Sequence, residues 1–388
     1  FTLGRMTTEE LQVQGIIPKV LGLFDGDGRP DAIFLSHAHL DHVGLLKRTN
    51  PFIPVYASKG TSKMMLAGSV YANQQQLPKD RFKEVKPRQA ITIGDITVTA
   101  FPVDHSIHGC LSFLVEADGK RILYTGDLRL HGRRPDEHKQ IIESLGNTSL
   151  DALIVEGTHF GFEDGNKVTE EQLGIQIVRQ VENSIGLVLA SFSPQNVDRL
   201  RAFIRAAQQN NRTFVADAYT AFVLHLISAD AKIENPLKTG HGRVYFPGNL
   251  KEKIERRGTN RANEIFRDSE IDMIEILDEP EKYVMVFRAS MLVDFDGSLP
   301  FQTHCLYSTW HGYSERPDWR DVKNALAESD GKLTHAHTSG HALSSDIVTF
   351  TKAMNAKTII PIHSFEPETF IEHFENVTIA TDGESIKI

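Results

Sequence analysis

Four side chains that can bind a metal ion lie within six positions of the chain: His37, His39, Asp41 and His42. They directly follow an apolar segment that ends at Leu35, which predicts a strand running into a loop. On such a loop, His37 and His39 can face one ion together, while Asp41 and His42 can turn toward a second. Imidazole and carboxylate bind zinc or manganese well without any thiolate. A solvent-exposed His-rich turn is the alternative interpretation, and the preceding apolar strand argues against it.

More candidate ligands stand at the ends of other apolar segments. His105, Asp127, Glu156 and His363 each follow a run of residues with strand character. Because ligands at strand ends converge on one edge of a sheet, we expect these side chains to lie close to the first four. The early part of the chain is predicted to hold strands at 32–35, 54–57, 91–101, 110–115, 121–124 and 152–155.

A second pattern begins near Thr169, which is a typical first residue of a helix. An apolar strand at 187–191, a helix at 197–208 and a strand at 213–216 follow. This alternation of strand and helix predicts a unit with a parallel sheet.

The composition narrows the functional class. The chain has 388 residues, is 40% hydrophobic and carries 17 histidines but only two cysteines, Cys110 and Cys305. Such a chain can bury a full core and cannot form a disulfide framework, and it shows neither a signal peptide nor a membrane-spanning run. A cytoplasmic location without membrane contact is therefore expected. The net charge of −9 argues against a generic nucleic-acid binder, but bound dications would offset it locally.

The arrangement His37-x-His39-x-Asp41-His42 resembles the signature of the metallo-β-lactamase fold hydrolases. Glu156, the stretch 335–342 that contains His341, and His363 are similar to motifs A, B and C of the β-CASP branch, in particular its ribonuclease J-like members. The resemblance implies an α/β fold, namely a metallo-β-lactamase αββα sandwich with an inserted α/β β-CASP domain. The implied domains are 1–168 and 333–388 for the sandwich and 169–332 for the insertion.

The resemblance also implies roles for individual residues. Two divalent ions are expected, zinc first and manganese as the alternative. One ion would be held by His37, His39 and His105, the other by Asp41, His42 and His363, with Asp127 bridging them. The catalytic residues implied are Asp41, which would orient the attacking water or accept its proton, His341 as general acid, and Glu156, which would orient a histidine. His337, Ser339 and Gly340 would bind a phosphate of the substrate.

The expected function is a two-metal ribonuclease that degrades or processes single-stranded RNA as an exonuclease, an endonuclease or both. A 5′-phosphorylated substrate and a homodimer are open alternatives. A hydrolase for lactones, thioesters or β-lactams, a DNA-directed nuclease and a non-catalytic RNA-binding scaffold on the same fold are the rival functions. The sequence leaves open the sugar of the nucleic acid, the direction of degradation, the metal and the oligomeric state.

Two further features concern the expected substrate. Arg129, Arg133 and Arg134 follow Asp127 and either guide a phosphate backbone or form a surface turn. Ser364 and Phe365 stand where the family has Gly-Glu after the histidine of motif C, which leaves the surroundings of His363 open. The family's first strands and its C-terminal domain have no counterpart in these 388 residues.

Overall fold

The computed structural model describes residues 6–24, 26–76, 78–162, 167–257, 261–381 and 384–388. The chain divides into two compact units. The first unit comprises Phe1–Leu130, Arg134–Lys167 and Gly340–Ile388, and the second comprises His131–Arg133 and Val168–Ser339.

The described residues of the first unit form two sheets. Strands β1 (Ile33–Phe34), β2 (Val55–Ala57) and β3 (Phe82–Glu84) form a parallel sheet. The second sheet contains β4 (Ala90–Ile93), β5 (Ile96–Pro102), β6 (Leu111–Ala117), β7 (Lys120–Tyr124) and β8 (Ala152–Glu156), and the late strand Thr358–Ile362 lies beside β8. Phe34 and Tyr56 of the first sheet pack against a buried cluster that contains Val98 and Phe113 of the second, so the two sheets share a core. The helices of this unit are Thr8–Val13, Leu40–Val43, Lys59–Tyr71, Asp136–Leu145 and Ser344–Met354.

The predicted strand at 91–101 is wrong in one respect, because two antiparallel strands, β4 and β5, occupy this stretch. The chain turns at Gly94, whose φ of +61° is unfavourable for other residues. Apolar alternation continues on both sides of the turn and therefore resembles one long strand.

The second unit is built on a six-stranded, fully parallel sheet in the order β11-β10-β12-β9-β13-β14. The strands are β9 (Val188–Ser191), β10 (Thr213–Asp217), β11 (Gly242–Tyr245), β12 (Tyr283–Val286), β13 (His304–Tyr307) and β14 (Lys332–His335), after which the chain returns to the first unit as β15 (Thr358–Ile362). Every residue of β9, β12 and β13 is buried, as expected for a parallel sheet covered on both faces. The helices are Glu170–Glu182, Val197–Gln209, Ala218–Ile227, Pro236–Thr239, Gly248–Arg257, Arg261–Glu264, Met273–Asp278 and Pro317–Glu328.

The predicted parallel unit and the helix start at Thr169 are confirmed, because the Thr169 side chain accepts a hydrogen bond from the Gln172 amide in a complete capping box. The predicted end of the insertion at 332 differs from the structure, in which the second unit extends to Ser339. The reason is that β14 pairs in parallel with β13 and so belongs to the sheet of the second unit. No helix among the described residues has the length and apolarity required to cross a membrane.

Candidate metal centre

The topology of the first unit brings several ligand-type residues to one edge of a sheet. Strands β7, β8 and β15 run in parallel, and β5 runs in the same direction because two antiparallel pairings separate it from β7. The carboxyl ends of these four strands therefore share one edge. His105 follows β5, Asp127 follows β7, Glu156 ends β8 and His363 follows β15.

The donor atoms of seven residues form two groups. In each group, every pair of donor atoms lies within 4.8 Å. Asp127 belongs to both groups, and its Oδ2 lies 3.5 Å from His37 Nε2 and 3.1 Å from His42 Nε2. The structure thus brings together all seven sequence-predicted ligands: His37, His39, His105 and Asp127 in the first group, and Asp41, His42, Asp127 and His363 in the second.

The arrangement of these atoms suits divalent cations. His39 Nδ1 lies 3.1 Å from His37 Nε2 and 3.0 Å from His105 Nε2. A ring nitrogen carries at most one hydrogen, so His39 Nδ1 cannot donate to both neighbours. Asp127 Oδ2 and His42 Nε2 are buried atoms without a hydrogen bond of adequate geometry among the described residues. Imidazole nitrogens and a carboxylate oxygen pointing at a common centre are a donor set that zinc accepts.

Protonation of the first group favours the same conclusion. Burial lowers the pKa of His39 to about 4 and holds the pKa values of His37 and His105 well below the usual value. These rings are therefore neutral at pH 7, which is the form that binds a metal ion.

In the second group, the carboxylates raise the pKa values of the histidines. The contact with His363 holds the pKa of Asp41 far below the usual range. Burial opposes protonation of His42, but the Asp127 and Asp41 carboxylates outweigh it and raise its pKa to about 9. The same Asp41 contact raises the pKa of His363. The acids and imidazoles of this group therefore hold one another in charged form.

Neighbouring polar groups orient the ligand rings. The Ser36 hydroxyl lies 3.1 Å from His37 Nδ1, and His105 Nδ1 lies 2.5 Å from the Gly340 carbonyl oxygen, to which it donates. Thr158 Oγ1 lies 2.8 Å from His363 Nδ1. Each contact occupies the ring nitrogen on the far side and leaves Nε2 of that histidine directed at the centre, as outer partners of metal sites commonly do.

Glu156 and His341 lie beside the second group. Glu156 is fully buried and its Oε2 lies 2.9 Å from His341 Nδ1, while its Oε1 accepts a hydrogen bond from the Leu128 amide at 2.5 Å. The Thr158 hydroxyl donates to Glu156 Oε2 at 2.7 Å. Burial opposes a charge on His341, yet the Glu156 carboxylate raises its pKa. Glu156 thus contacts a histidine directly, as its motif suggested it would.

The phosphate-binding residues expected from the sequence fall in different units. Gly340 belongs to the first unit, where an added Cβ would meet Ser106 Oγ at 2.9 Å. His337 and Ser339 belong to the second unit, directly after β14. Their role in binding phosphate stays a prediction.

The segment that carries His337 and Ser339 is held by a buried ion pair, which we call the Arg199 cluster (Arg199, Glu170 and Ser308). Arg199 Nη1 lies 2.5 Å from Glu170 Oε2, its Nε donates to Ser308 Oγ at 2.7 Å, and its Nη2 donates to the Thr338 carbonyl at 2.7 Å. Ser308 in turn donates to the Ala336 carbonyl. The backbone on both sides of His337 is therefore fixed by side chains of this cluster.

The suggested basic loop is wrong for Arg129. Arg129 is only 1% exposed and pairs with Asp104 at 3.3 Å, so it stabilises the interior and does not face a phosphate backbone. Arg134 also approaches Asp104, at 3.9 Å, and Arg133 pairs with Glu171 of the second unit at 2.5 Å.

Sequence reasoning missed Thr158 and Ser36. Both are hydroxyl residues next to recognised motif positions, Thr158 two residues after Glu156 and Ser36 directly before His37. Position beside a motif was the available signal, but the contacts of Thr158 depend on β15 lying next to β8.

Comparison with known proteins agrees with this geometry. Residues 22–170, which hold six of the seven donor residues, match the β-lactamase superfamily domain. A crystal structure of a protein of unknown function from Enterococcus faecalis V583 superposes with a TM-score of 0.76 at 24% identity, covering 97% of this chain and 88% of that chain. This likeness shows a shared fold and confirms the predicted α/β class.

The relatives found by sequence carry a named activity, but they align with a smaller part of this chain. Ribonuclease J of Mycolicibacterium smegmatis is 29% identical over 207 residues, which are 51% of this chain and 36% of that protein. Ribonuclease J of Sinorhizobium meliloti is 26% identical over 205 residues, with coverages of 51% and 35%. The matched part thus spans little more than a third of these relatives. Residues 22–170 are thus similar to the β-lactamase superfamily domain, and over about half of its length the chain is similar to ribonuclease J.

Proposed function

We propose that the protein is a metal-dependent phosphodiester hydrolase that degrades or processes RNA. The observation that carries the proposal is the pair of four-residue donor groups that share Asp127. Two ions held by groups that share one carboxylate would lie close together, which is the arrangement used by enzymes that cleave phosphodiesters. The similarity to ribonuclease J proteins supports RNA as the substrate.

Each donor group would hold one ion, with zinc as the first expectation and manganese as the alternative. When bound, the two ions would supply polarisation of a water molecule and neutralisation of charge on the phosphate. The protein presents the imidazoles of the first group in neutral form and the Asp41 carboxylate as an anion. A bound cation would displace the protons that the carboxylates favour on His42 and His363. Asp41 has the most exposed carboxylate of the centre, at 61%, and lies 3.2 Å from His363 Nε2, where it can orient the attacking water.

Departure of the leaving oxygen requires a proton. We assign this step to His341, because Glu156 holds its Nδ1 at 2.9 Å and thereby fixes the plane of the ring. Nε2 is then the atom through which His341 would protonate the leaving group. Glu156 itself is fully buried, so its role is to position His341 and not to contact RNA.

The test is an end-labelled RNA assay with a matched DNA strand, using protein loaded with zinc or manganese. We expect cleavage of RNA and a loss of roughly 1,000-fold or more in His37→Ala and Asp41→Ala, equivalent to about 4 kcal/mol of transition-state stabilisation. His241→Ala, which alters an exposed histidine outside the centre, is the control and should retain full activity.

The same assay separates the rival functions. Early release of 5′ mononucleotides would indicate a 5′ exonuclease, and shortened internal fragments an endonuclease. Loaded protein that leaves RNA intact but cuts the DNA strand would contradict the choice of RNA. Loaded protein that cuts neither strand but hydrolyses a lactone or thioester would indicate a small-molecule hydrolase instead.

A further inference from the structure

Two exposed phenylalanines of the first unit follow residues of the metal centre closely in sequence. Phe365 is 82% exposed and Phe162 is 53% exposed, and their rings meet edge to face at a centroid distance of 6.4 Å. Burying aromatic surface is favourable, so two rings that stay exposed and in mutual contact keep apolar surface available to a ligand.

Local structure directs this pair outward and holds it in place. His363 has a φ of +48°, a left-handed conformation that turns the chain sharply after β15. The Ser364 side chain then accepts a hydrogen bond from the Glu366 amide at 3.2 Å, and the Thr369 hydroxyl donates to the Glu366 carbonyl at 2.6 Å. Phe365 therefore lies at the tip of a hydrogen-bonded turn.

The segment that carries Phe162 is packed against this turn. Phe160 and Phe370 are buried and stack at 3.8 Å. Gly161 has a φ of +85°, a backbone conformation that favours glycine, and it lies directly against the Glu366 side chain. The two rings are thus mounted on two segments that fix each other, which is the rigidity a binding surface needs.

The position of the pair indicates its occupant. Phe365 is two residues after the ligand His363, so its Cα lies within about 7.6 Å of the Cα of His363. Phe162 is four residues after Thr158, the residue that contacts the same histidine. A nucleotide next to a phosphate held at the centre would have its base within reach of these rings.

We propose that Phe365 and Phe162 form a stacking platform for an unpaired nucleobase adjacent to the bond that is cleaved. The proposal rests on the proposed function and names its substrate class as single-stranded nucleic acid. Exposed aromatic rings bind bases by stacking, and bases within a duplex are already stacked on their neighbours. Because every base has a π-face, the platform selects for single strands with little preference among bases.

The experiment measures binding without cleavage, in an Asp127→Asn background. The probe is a fluorescein-labelled single-stranded RNA dodecamer, compared with the same strand carrying abasic sites and with its duplex, by fluorescence anisotropy. We expect Phe365→Ala to raise the Kd for the intact strand roughly 10-fold or more, and Phe162→Ala to raise it less. For the abasic strand and the duplex, the Kd values of the two phenylalanine variants should stay within a factor of two of the value without these substitutions.

The control is Phe52→Ala, which removes a phenylalanine that is 72% exposed in the loop before β2. A Kd in Phe365→Ala that matches the control for all three probes would overturn the platform. This outcome is distinguishable from failure of the proposed function, because the latter requires loaded wild-type protein that leaves RNA uncut. An equal loss of affinity for the intact and the abasic strand would also overturn it, since the rings would then not act on bases.

Discussion

The metal centre of the first unit and the Arg199 cluster of the second are both buried and polar, but they satisfy their polar atoms differently. In the Arg199 cluster, three guanidinium nitrogens each face an oxygen at 2.5–2.7 Å. In the metal centre, ring nitrogens face one another at 3.0–3.1 Å, and the buried Asp127 Oδ2 has no well-formed hydrogen bond within the described part of the chain.

This difference separates a scaffold from a site. A closed network stabilises the fold when both partners are present and costs several kcal/mol when one is removed. A cluster of donor atoms whose lone pairs point at a common centre costs folding free energy, and binding of a ligand at that centre offsets the cost. The largest effects on chemistry are therefore expected at the centre, and the largest effects on stability at the Arg199 cluster.

The largest expected effect is that of Asp127→Asn. Loss of the shared carboxylate removes a donor from both groups, and the amide N–H groups that replace one oxygen would repel a cation. We expect the metal content to fall from two ions to at most one and RNA cleavage to fall roughly 1,000-fold or more. Elemental analysis of dialysed protein and the end-labelled assay measure the two quantities.

Asp151→Asn is the matched control, because Asp151 precedes β8 in the same unit but pairs with Lys357 at 2.8 Å, away from the donor groups. It should keep its metal and its activity. Two ions retained in Asp127→Asn would show that the shared carboxylate is not a ligand. The buried Asp127 oxygen would then not distinguish the metal centre from the Arg199 cluster.

The second effect concerns stability. Arg199→Met removes the guanidinium that pairs with the buried Glu170 carboxylate at 2.5 Å, which is expected to cost about 3–5 kcal/mol. Arg205 lies on the same helix as Arg199, and its ion pair with Glu171 is solvent-accessible. Arg205→Met should therefore cost less than about 1 kcal/mol. Both tryptophans, Trp310 and Trp319, lie in the second unit, so urea unfolding followed by tryptophan fluorescence reports on it. Equal midpoints for the two variants would contradict the role given to the Arg199 cluster.

The donor residues could be predicted because their signals are local. Ligand spacing within 37–42 and a ligand after each apolar strand are properties of short segments. Thr158 could not be found in this way, because its contact with His363 arises from the pairing of β15 with β8 across about 200 residues. Arg129 was misjudged for a related reason, since a count of charges cannot show that Asp104 neutralises it inside the protein. For both Thr158 and Arg129, the role of the side chain depends on a partner that lies far away in the sequence.

The third effect tests that long-range contact. Thr158→Val keeps the shape of the side chain but removes the hydroxyl that contacts Glu156 and His363. We expect a 10- to 100-fold loss of affinity for the ion of the second group, the usual size for an outer partner of a metal ligand. Competition with a chromogenic chelator measures it. Thr349→Val, which alters an exposed helical hydroxyl bonded to the Ser345 carbonyl, should change affinity less than twofold.

The smallest effect contrasts buried histidines inside and outside the centre. His304 is 1% exposed, and both of its ring nitrogens have protein partners, Ser184 at 2.6 Å and Thr334 at 2.9 Å. Burial lowers its pKa from the usual value of about 6.5 to about 4. The unfolded chain therefore binds a proton below pH 6.5 while the folded protein does not, so stability is present above pH 6.5 and is lost as the pH falls toward 4.

At pH 5 this difference amounts to about 2 kcal/mol. Wild-type protein should lose that much more stability than His304→Gln between pH 7 and pH 5, again by tryptophan fluorescence in urea. Glutamine can bond to the same two hydroxyls without titrating, so the variant isolates the proton. An identical loss in both proteins would mean that His304 is protonated in the folded state. Buried imidazoles with complete protein partners would then behave like the charged rings of the second donor group, and burial alone would not explain the neutral rings of the first.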